Sequence, residues 1–163
     1  MLDSSLEEWL GAAHARAPRE RVEHVQEALK QAAIKRVEQA GEHFNERPKK
    51  ERERAIEESK KRSAHHYPEL FPSSLEGRWP VECPACSSQA FLAGISYDEE
   101  VVEPDPETDF EEVEKYYSAE RLQCPVCELH LDSREEIEAV GLDPDHTEIE
   151  EREREYEPDY GNC

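Results

Sequence analysis

The sequence is poor in apolar residues, and it contains no stretch of about 18 of them in a row. Only 36% of its 163 residues are hydrophobic, while 37% are charged. The lack of a long apolar stretch predicts that no helix spans a membrane. The low hydrophobic content leaves too little apolar volume for one large core. Residues 1–5 also lack a basic segment followed by an apolar one, which argues against secretion.

The short strings that identify many enzymes are missing as well. There is no G-x-S-x-G, no P-loop and no H-E-x-x-H in the chain. Carboxylates are abundant, since 41 residues are Asp or Glu, but none of them is singled out as a catalytic acid or base. We therefore expect a protein that is not an enzyme.

Basic residues are scarce in the second half of the chain. Residues 1–81 carry 15 acidic and 15 basic side chains, whereas residues 82–163 carry 26 acidic and 5 basic ones. All of the formal net charge of -21 therefore belongs to the second half. A negative field of this size repels nucleic-acid phosphates, so it favours a protein partner with a basic surface.

Cysteine is rare but regularly placed. Four of the five cysteines form two Cys-Pro-x-Cys steps, with Cys83 and Cys86 in the first and Cys124 and Cys127 in the second. Such a step places two thiols across a tight turn, and two steps together supply a Cys₄ set for a structural Zn²⁺. Iron bound by the same ligands would give a red protein. Thiols in this spacing suit a reducing compartment, so we expect a cytoplasmic protein. The fifth, Cys163, is unpaired.

The two steps at 83–86 and 124–127, each with proline after its first cysteine, resemble the double-knuckle zinc-ribbon class. The resemblance extends over residues 79–141, and it implies an antiparallel ribbon with a structural zinc between two knuckles. Most members have glycine after the second cysteine of each knuckle, where this chain has Ser87 and Glu128. The class includes transcription factors, ribosomal proteins and RNA polymerase subunits, so the resemblance does not identify a function.

Residues 1–66 have helical periodicity. The sequence predicts a short amphipathic helix over 3–16 that Pro18 ends. A second apolar stripe runs from Val22 to Phe44 at steps of three and four residues. The stripe is shallow because many of its members are alanine, so we expect these helices to pack on another helix, within the chain or on a partner.

Residues 47–62 are the basic part of the chain, with eight Lys or Arg residues against four Glu residues. Pro48 stands where it can begin a polar helix over 49–64. A basic helix is one way to bind nucleic acid. A solvated connector, or a strip that docks on the acidic half, explains the same pattern.

Prolines and charged residues mark the predicted segment boundaries in residues 67–163. A proline-rich linker is predicted at 67–78, and the zinc ribbon is predicted at 79–142 with an acidic insertion at 97–112. Residues 143–163 are predicted to be an acidic tail, with a polar helix as one interpretation of 148–157. The insertion contains two prolines and many carboxylates, so we expect it to form a loose loop.

Three strands and one helix are predicted inside the ribbon. Alternating apolar residues predict strands at 89–96 and 113–123, and a short third strand at 129–131. A capping box that begins at Ser133 predicts a short helix, which Gly141 stops.

The sequence thus predicts an α+β protein: N-terminal helices or a helical hairpin, then a small antiparallel zinc ribbon with a short C-terminal helix. The predicted function is a non-enzymatic accessory or interaction module. In it, a structural zinc folds the ribbon and an acidic surface engages a basic protein partner. The alternatives are a nucleic-acid-associated protein that uses residues 47–62, and an acidic mimic of DNA that inhibits a DNA-binding protein.

Overall fold

The three-dimensional structure is a computed structural model. It describes residues 4–62, 70–102, 107 and 109–154, and within the first helix it describes side chains from residue 19 onward. Cys163, the prolines of the acidic insertion and the last part of the predicted tail lie outside the described residues.

The N-terminal part forms two helices, α1 at Ser4–Glu46 and α2 at Lys49–Lys60. The break predicted at Pro18 is wrong, because α1 continues through it. A proline removes one backbone hydrogen bond from a helix, but its fixed φ is compatible with the helical turn, so flanking turns can carry it. Pro48 directly precedes α2, close to its predicted place.

The second half forms a five-stranded antiparallel sheet and one short helix. Its elements are β1 (Gly77–Glu82), β2 (Gln89–Val101), β3 (Phe110–Gln123), β4 (His130–Leu131), α3 (Arg134–Ala139) and β5 (Asp145–Glu153). The strand order is β1-β2-β3-β4, and β5 also pairs with β3, beside β4. The α+β class is confirmed, and the predicted strands at 89–96, 113–123 and 129–131 are all present.

The acidic insertion at 97–112 is more ordered than predicted. β2 continues to Val101 and β3 begins at Phe110, so residues 97–101 and 110–112 of the segment lie in strands. The reason is the central position of β3, whose backbone is hydrogen-bonded to β2 on one side and to β5 on the other. Inter-strand hydrogen bonds do not require apolar side chains, and this is why composition alone missed them.

The polar helix considered for 148–157 is also wrong over its described part, because residues 145–153 form β5, and residues 155–157 lie outside the described residues. In addition to the pairing with β3, two side-chain contacts hold the start of this strand to the body. The His146 ring stacks on Trp79 at a centroid distance of 4.6 Å, and Arg134 forms an ion pair with Asp145 at 2.8 Å. Residues 145–153 of the predicted tail are therefore part of the sheet.

Strand β1 was not predicted, because it contains Pro80. It lies at the edge of the sheet, where a missing N–H is tolerated. Its neighbour along the chain, the predicted linker, contributes Phe71 and Leu75 to a small apolar cluster with Phe91 and Ala93 on one face of the sheet.

One larger core on the opposite face joins the helices to the ribbon. Ala33 and Phe44 of α1 pack in the same cluster as sheet and α3 residues. The sheet and α3 members include Trp79, Leu92, Leu122, Leu131 and Ile137. The predicted helical hairpin is not confirmed, because α1 packs on α3 while α2 lies nearest β2.

Helix α3 has the predicted ends. The Ser133 hydroxyl accepts a hydrogen bond from the backbone N–H of Glu136, as an N-cap does. Gly141 follows the helix with φ +85°. The N–H of Leu142 donates to the carbonyl of Ile137, which completes a C-terminal Schellman motif. Among the described residues, no helix is long and apolar enough to cross a bilayer.

Candidate metal centre

The first cysteine pair lies in the turn that joins β1 to β2. The backbone N–H of Cys83 donates to the carbonyl of Ser88 at 2.8 Å, and the N–H of Ser87 donates to the carbonyl of Cys83 at 2.9 Å. These two hydrogen bonds close the turn and place the Cys83 and Cys86 thiols on one side of it. The turn is therefore a knuckle of the kind that the Cys-Pro-x-Cys spacing predicts.

The second pair repeats this geometry between β3 and β4. The N–H of Cys124 donates to the carbonyl of Leu129 at 2.9 Å, and the N–H of Glu128 donates to the carbonyl of Cys124 at 3.0 Å. Two segments with the same residue spacing thus adopt the same hydrogen-bonded turn. Because β2 and β3 are paired, the two turns come together at one end of the sheet.

The residue after the second cysteine has a left-handed backbone in both knuckles. Ser87 has φ 55° and Glu128 has φ 65°, at the positions where the resembled class has glycine. A side chain in this conformation costs about 1–2 kcal/mol. The turn geometry is therefore kept despite the two replaced glycines.

The four sulfur atoms converge. The Sγ atoms of Cys83, Cys86, Cys124 and Cys127 all lie within 4.8 Å of one another. Across the two knuckles, Cys83 Sγ is 3.6 Å from Cys127 Sγ, and Cys86 Sγ is 3.7 Å from Cys124 Sγ. Four sulfurs arranged as a tetrahedron around zinc, each with a Zn–S bond of about 2.3 Å, are separated by about 3.8 Å. The donor set therefore fits a tetrahedral metal ion, and none of the four cysteines is in a disulfide.

The protonation of these thiols is interdependent. Hydrogen bonding from Cys124 lowers the pKa of the Cys86 thiol. Hydrogen bonding with Cys127 raises the pKa of the Cys124 thiol. A bound divalent cation would stabilise the thiolate form of all four.

The C-terminal end of α1 lies directly against both knuckles, a contact that was not predicted from the sequence. A Cβ atom at Gly41 would stand 2.9 Å from the carbonyl oxygen of Ala85 in the first knuckle. Arg47 Nη1 donates to the carbonyl oxygen of Val126 in the second knuckle at 2.9 Å. A signal was present, because Gly41 lies inside the helical pattern between Ala40 and Phe44, and a glycine in such a place often has a packing reason.

A partly buried ion pair fixes the same helix to α3. The Glu136 carboxylate, 7% exposed, pairs with the Arg36 guanidinium and also accepts a hydrogen bond from the N–H of Asp132 at 2.7 Å. Arg36 further donates to the carbonyl of His130 at 3.3 Å. The last part of α1 and Arg47, the residue that follows it, thus bind α3 at one end and the knuckles at the other.

Histidine does not enter the centre in the described part of the chain. His130 is exposed on β4, and the cluster within metal-binding distance consists of the four cysteines. His65 and His66 lie outside the described residues.

The basic residues of α2 are partly neutralised by their own helix. Lys49 pairs with Glu53 and Arg54 with Glu58, and Lys61, just after the helix, pairs with Glu57. Arg52 lies over the Phe44 ring, 6.0 Å from its centroid.

The chain matches no protein-family model, no curated protein and no solved structure. The likeness to the zinc-ribbon class therefore rests on the two knuckles and their converging sulfurs.

Proposed function

We propose that this chain is a non-enzymatic accessory or interaction module built around a structural zinc. Cys83, Cys86, Cys124 and Cys127 hold the ion, and the acidic half engages a protein partner with a basic surface. The observation that carries the metal assignment is the convergence of four thiols from two equivalent knuckles. Four thiolates fill a tetrahedral shell and leave no position for substrate or water, which supports a structural role.

Elemental analysis of the purified chain, combined with a visible spectrum, tests the metal. We expect one zinc per chain and no visible absorption band. A red protein that contains iron would support an electron carrier instead. A chain that folds with no metal would contradict the assignment.

The negative charge of the second half supports a partner with a basic surface. The formal net charge of -21 belongs to residues 82–163. Much of it lies on β2, β3 and β5, whose described acidic side chains are mostly exposed or half-exposed.

Affinity purification with the metal-loaded chain, followed by binding of each purified partner, tests the proposed basic partner. We expect a partner rich in Lys and Arg whose binding weakens as salt rises. A captured partner that is acidic, or whose binding is insensitive to salt, would contradict it.

The alternative is nucleic-acid binding through residues 47–62. Its support is the exposure of Lys49, Arg54 and Lys61, whose side chains are 70–81% exposed. The pairing of these three side chains with acidic residues of α2 weakens the case for nucleic-acid binding. A salt-dependent mobility shift with DNA or RNA that disappears when Lys49, Lys50, Lys60, Lys61 and Arg62 are neutralised would favour this alternative. Competition between this chain and DNA for one basic partner would favour the DNA-mimic variant.

A further inference from the structure

The end of the sheet away from the knuckles has two faces of different character. There β2, β3 and β5 form a three-stranded arm, because the pairing of β1 with β2 ends at Gly94. Side chains alternate between faces along a strand, and directly paired residues share a face. We call the face that continues the main core, with Val113, Lys115 and Tyr117, the inner face. The outer face carries the alternate residues.

On the inner face, acidic residues are opposed by bases. Lys115 stands between Glu99 on β2 and Glu148 on β5, and it forms an ion pair with Glu150. Arg152 is paired across the strands with Glu111 at 2.7 Å, and it also reaches Glu99 at 3.1 Å. Lys115 and Arg152 therefore offset part of the negative charge on this side.

On the outer face, acidic residues oppose each other. Glu100 on β2 is paired with Glu114 on β3, and Glu112 on β3 is paired with Glu151 on β5. In the described part of the chain, the ion pairs of this arm involve Lys115, Arg152 and Arg134, and none of them includes these four carboxylates. Like charges directly opposite each other destabilise a sheet. This arrangement lowers the stability of the free protein.

The negative potential on this face acts on Tyr116. A hydrogen bond to Glu114 raises the pKa of the Tyr116 hydroxyl, and the nearby charges of Glu100 and Asp98 add to the shift. The tyrosine itself stays in its neutral form at physiological pH.

Exposed apolar side chains lie among these carboxylates. Ile149 is 63% exposed, Tyr97 is 59% exposed and Ile95 is 44% exposed. Closer to the knuckles the same face is covered, because Phe71 and Leu75 pack over it. The sheet face is thus covered at one end, and at the other end the described residues leave it open.

We propose that the outer face of this arm is a docking surface for a partner segment in which Lys or Arg residues alternate with aliphatic ones. This inference rests on the proposed function, and it specifies the face and the chemistry of the partner. Lys or Arg side chains relieve the repulsion between Glu100 and Glu114 and between Glu112 and Glu151. Aliphatic side chains cover Ile149 and Tyr97. Nucleic acid, and the outer face of a second copy, are repelled by the same charge.

The test uses the full metal-loaded chain and a fluorescent peptide in which lysine alternates with isoleucine. Binding is measured by anisotropy for two variants of equal net charge. The outer-face variant is Glu100→Gln/Glu112→Gln/Glu114→Gln, and the inner-face variant is Glu99→Gln/Glu148→Gln/Glu150→Gln. Exposed charge contacts are individually weak, so we expect three together to weaken binding about tenfold on the outer face and less than about threefold on the inner face.

Stability separates lost binding from lost folding. The outer-face variant should unfold at a higher denaturant concentration than the wild type, because repulsion is removed, whereas the inner-face variant should unfold at a lower one. Equal loss of binding in both variants would overturn the docking surface, but it would remain consistent with a basic partner that binds the acidic half without preferring one face. Absence of any binding by the wild type at low salt would instead overturn the basic partner itself. Self-association of the wild type that the outer-face variant abolishes would assign the face to a second copy, which also overturns the proposal.

Discussion

At the scale of single residues, the knuckles carry a backbone strain that can be measured. Ser87 has φ 55°, and its backbone N–H, not its side chain, donates the hydrogen bond to the carbonyl of Cys83. The strain therefore does not depend on the serine side chain. Glu128 has the same backbone conformation, but its carboxylate also pairs with Arg47 at 3.2 Å, so Ser87 is the cleaner position to test.

Replacing Ser87 with glycine should stabilise the metal-loaded protein. Glycine adopts the left-handed conformation without strain, which outweighs its greater freedom in the unfolded chain by about 1 kcal/mol. Ser87→Ala should change the unfolding free energy little, because alanine keeps the strain. Chemical denaturation of the three proteins measures both effects. Destabilisation by Ser87→Gly would show that the turn is not left-handed.

A second residue-scale prediction concerns the buried Glu136. Arg36→Met leaves its carboxylate with the N–H of Asp132 and without its cation, which should lower the unfolding free energy by about 3 kcal/mol. Adding Glu136→Gln should recover part of that loss, because glutamine is neutral and still accepts the hydrogen bond. Thermal or chemical denaturation of the single and double variants measures this. Equal stability of Arg36→Met and the wild type would mean that α1 is not anchored here.

At the scale of elements, the close contact between α1 and the first knuckle determines whether Gly41→Ala stabilises or destabilises the protein. On an isolated helix, Gly41→Ala would be stabilising by about 1 kcal/mol because alanine is the better helix former. Here the added Cβ meets the Ala85 carbonyl oxygen, a backbone atom that cannot rotate away. We therefore expect destabilisation and weaker metal retention, measured by denaturation and by competition with a chelator. As a control, Glu42→Ala on the exposed side of α1 should be nearly neutral. A gain in stability from Gly41→Ala would contradict the packing.

Prediction of elements from the sequence succeeded where side chains carry a period or a motif. The apolar alternation of β2 and β3 and the capping box at Ser133 are local signals, and they gave the correct elements. It failed where partners decide the structure. The acidic segment 145–153 forms strand β5 because it pairs with β3. No residue pattern within the segment predicts this pairing.

The candidate site was predictable for a similar reason. Cys83, Cys86, Cys124 and Cys127 could be chosen from spacing alone, since two equal turns need only the antiparallel pairing of β2 and β3 to meet. The support from α1 was not predictable, because Arg36 and Arg47 contact residues some 80 to 100 positions later in the chain. Only the tertiary fold reveals such contacts.

At the scale of the whole molecule, helices and ribbon depend on one another. Ala33 and Phe44 of α1 share a core with Cys83, Cys124 and Cys127, so loss of the metal reaches the helix as well as the sheet. The division into a helical region at 1–66 and a ribbon at 79–142 stays a prediction. The shared core indicates that these two parts unfold together.

Removing one ligand should therefore affect the entire fold. Cys83→Ser or Cys124→Ser should abolish metal binding, which contributes on the order of 10 kcal/mol of folding free energy at such sites. We expect loss of sheet signal and, in contrast to an independent helical domain, loss of helical signal from the second half of α1. Circular dichroism and elemental analysis measure both. As a control, Cys163→Ser should retain the metal.

Amide hydrogen exchange with and without a chelator tests the central claim most directly, namely that an ion held by four thiolates maintains this fold. With zinc bound, the paired amides of β1 through β4 should exchange slowly. After the metal is removed, this protection should disappear from residues 77–94 and 119–131, and it should fall in residues 33–46 of α1. A metal-free protein that keeps slow exchange in those strands would contradict the account.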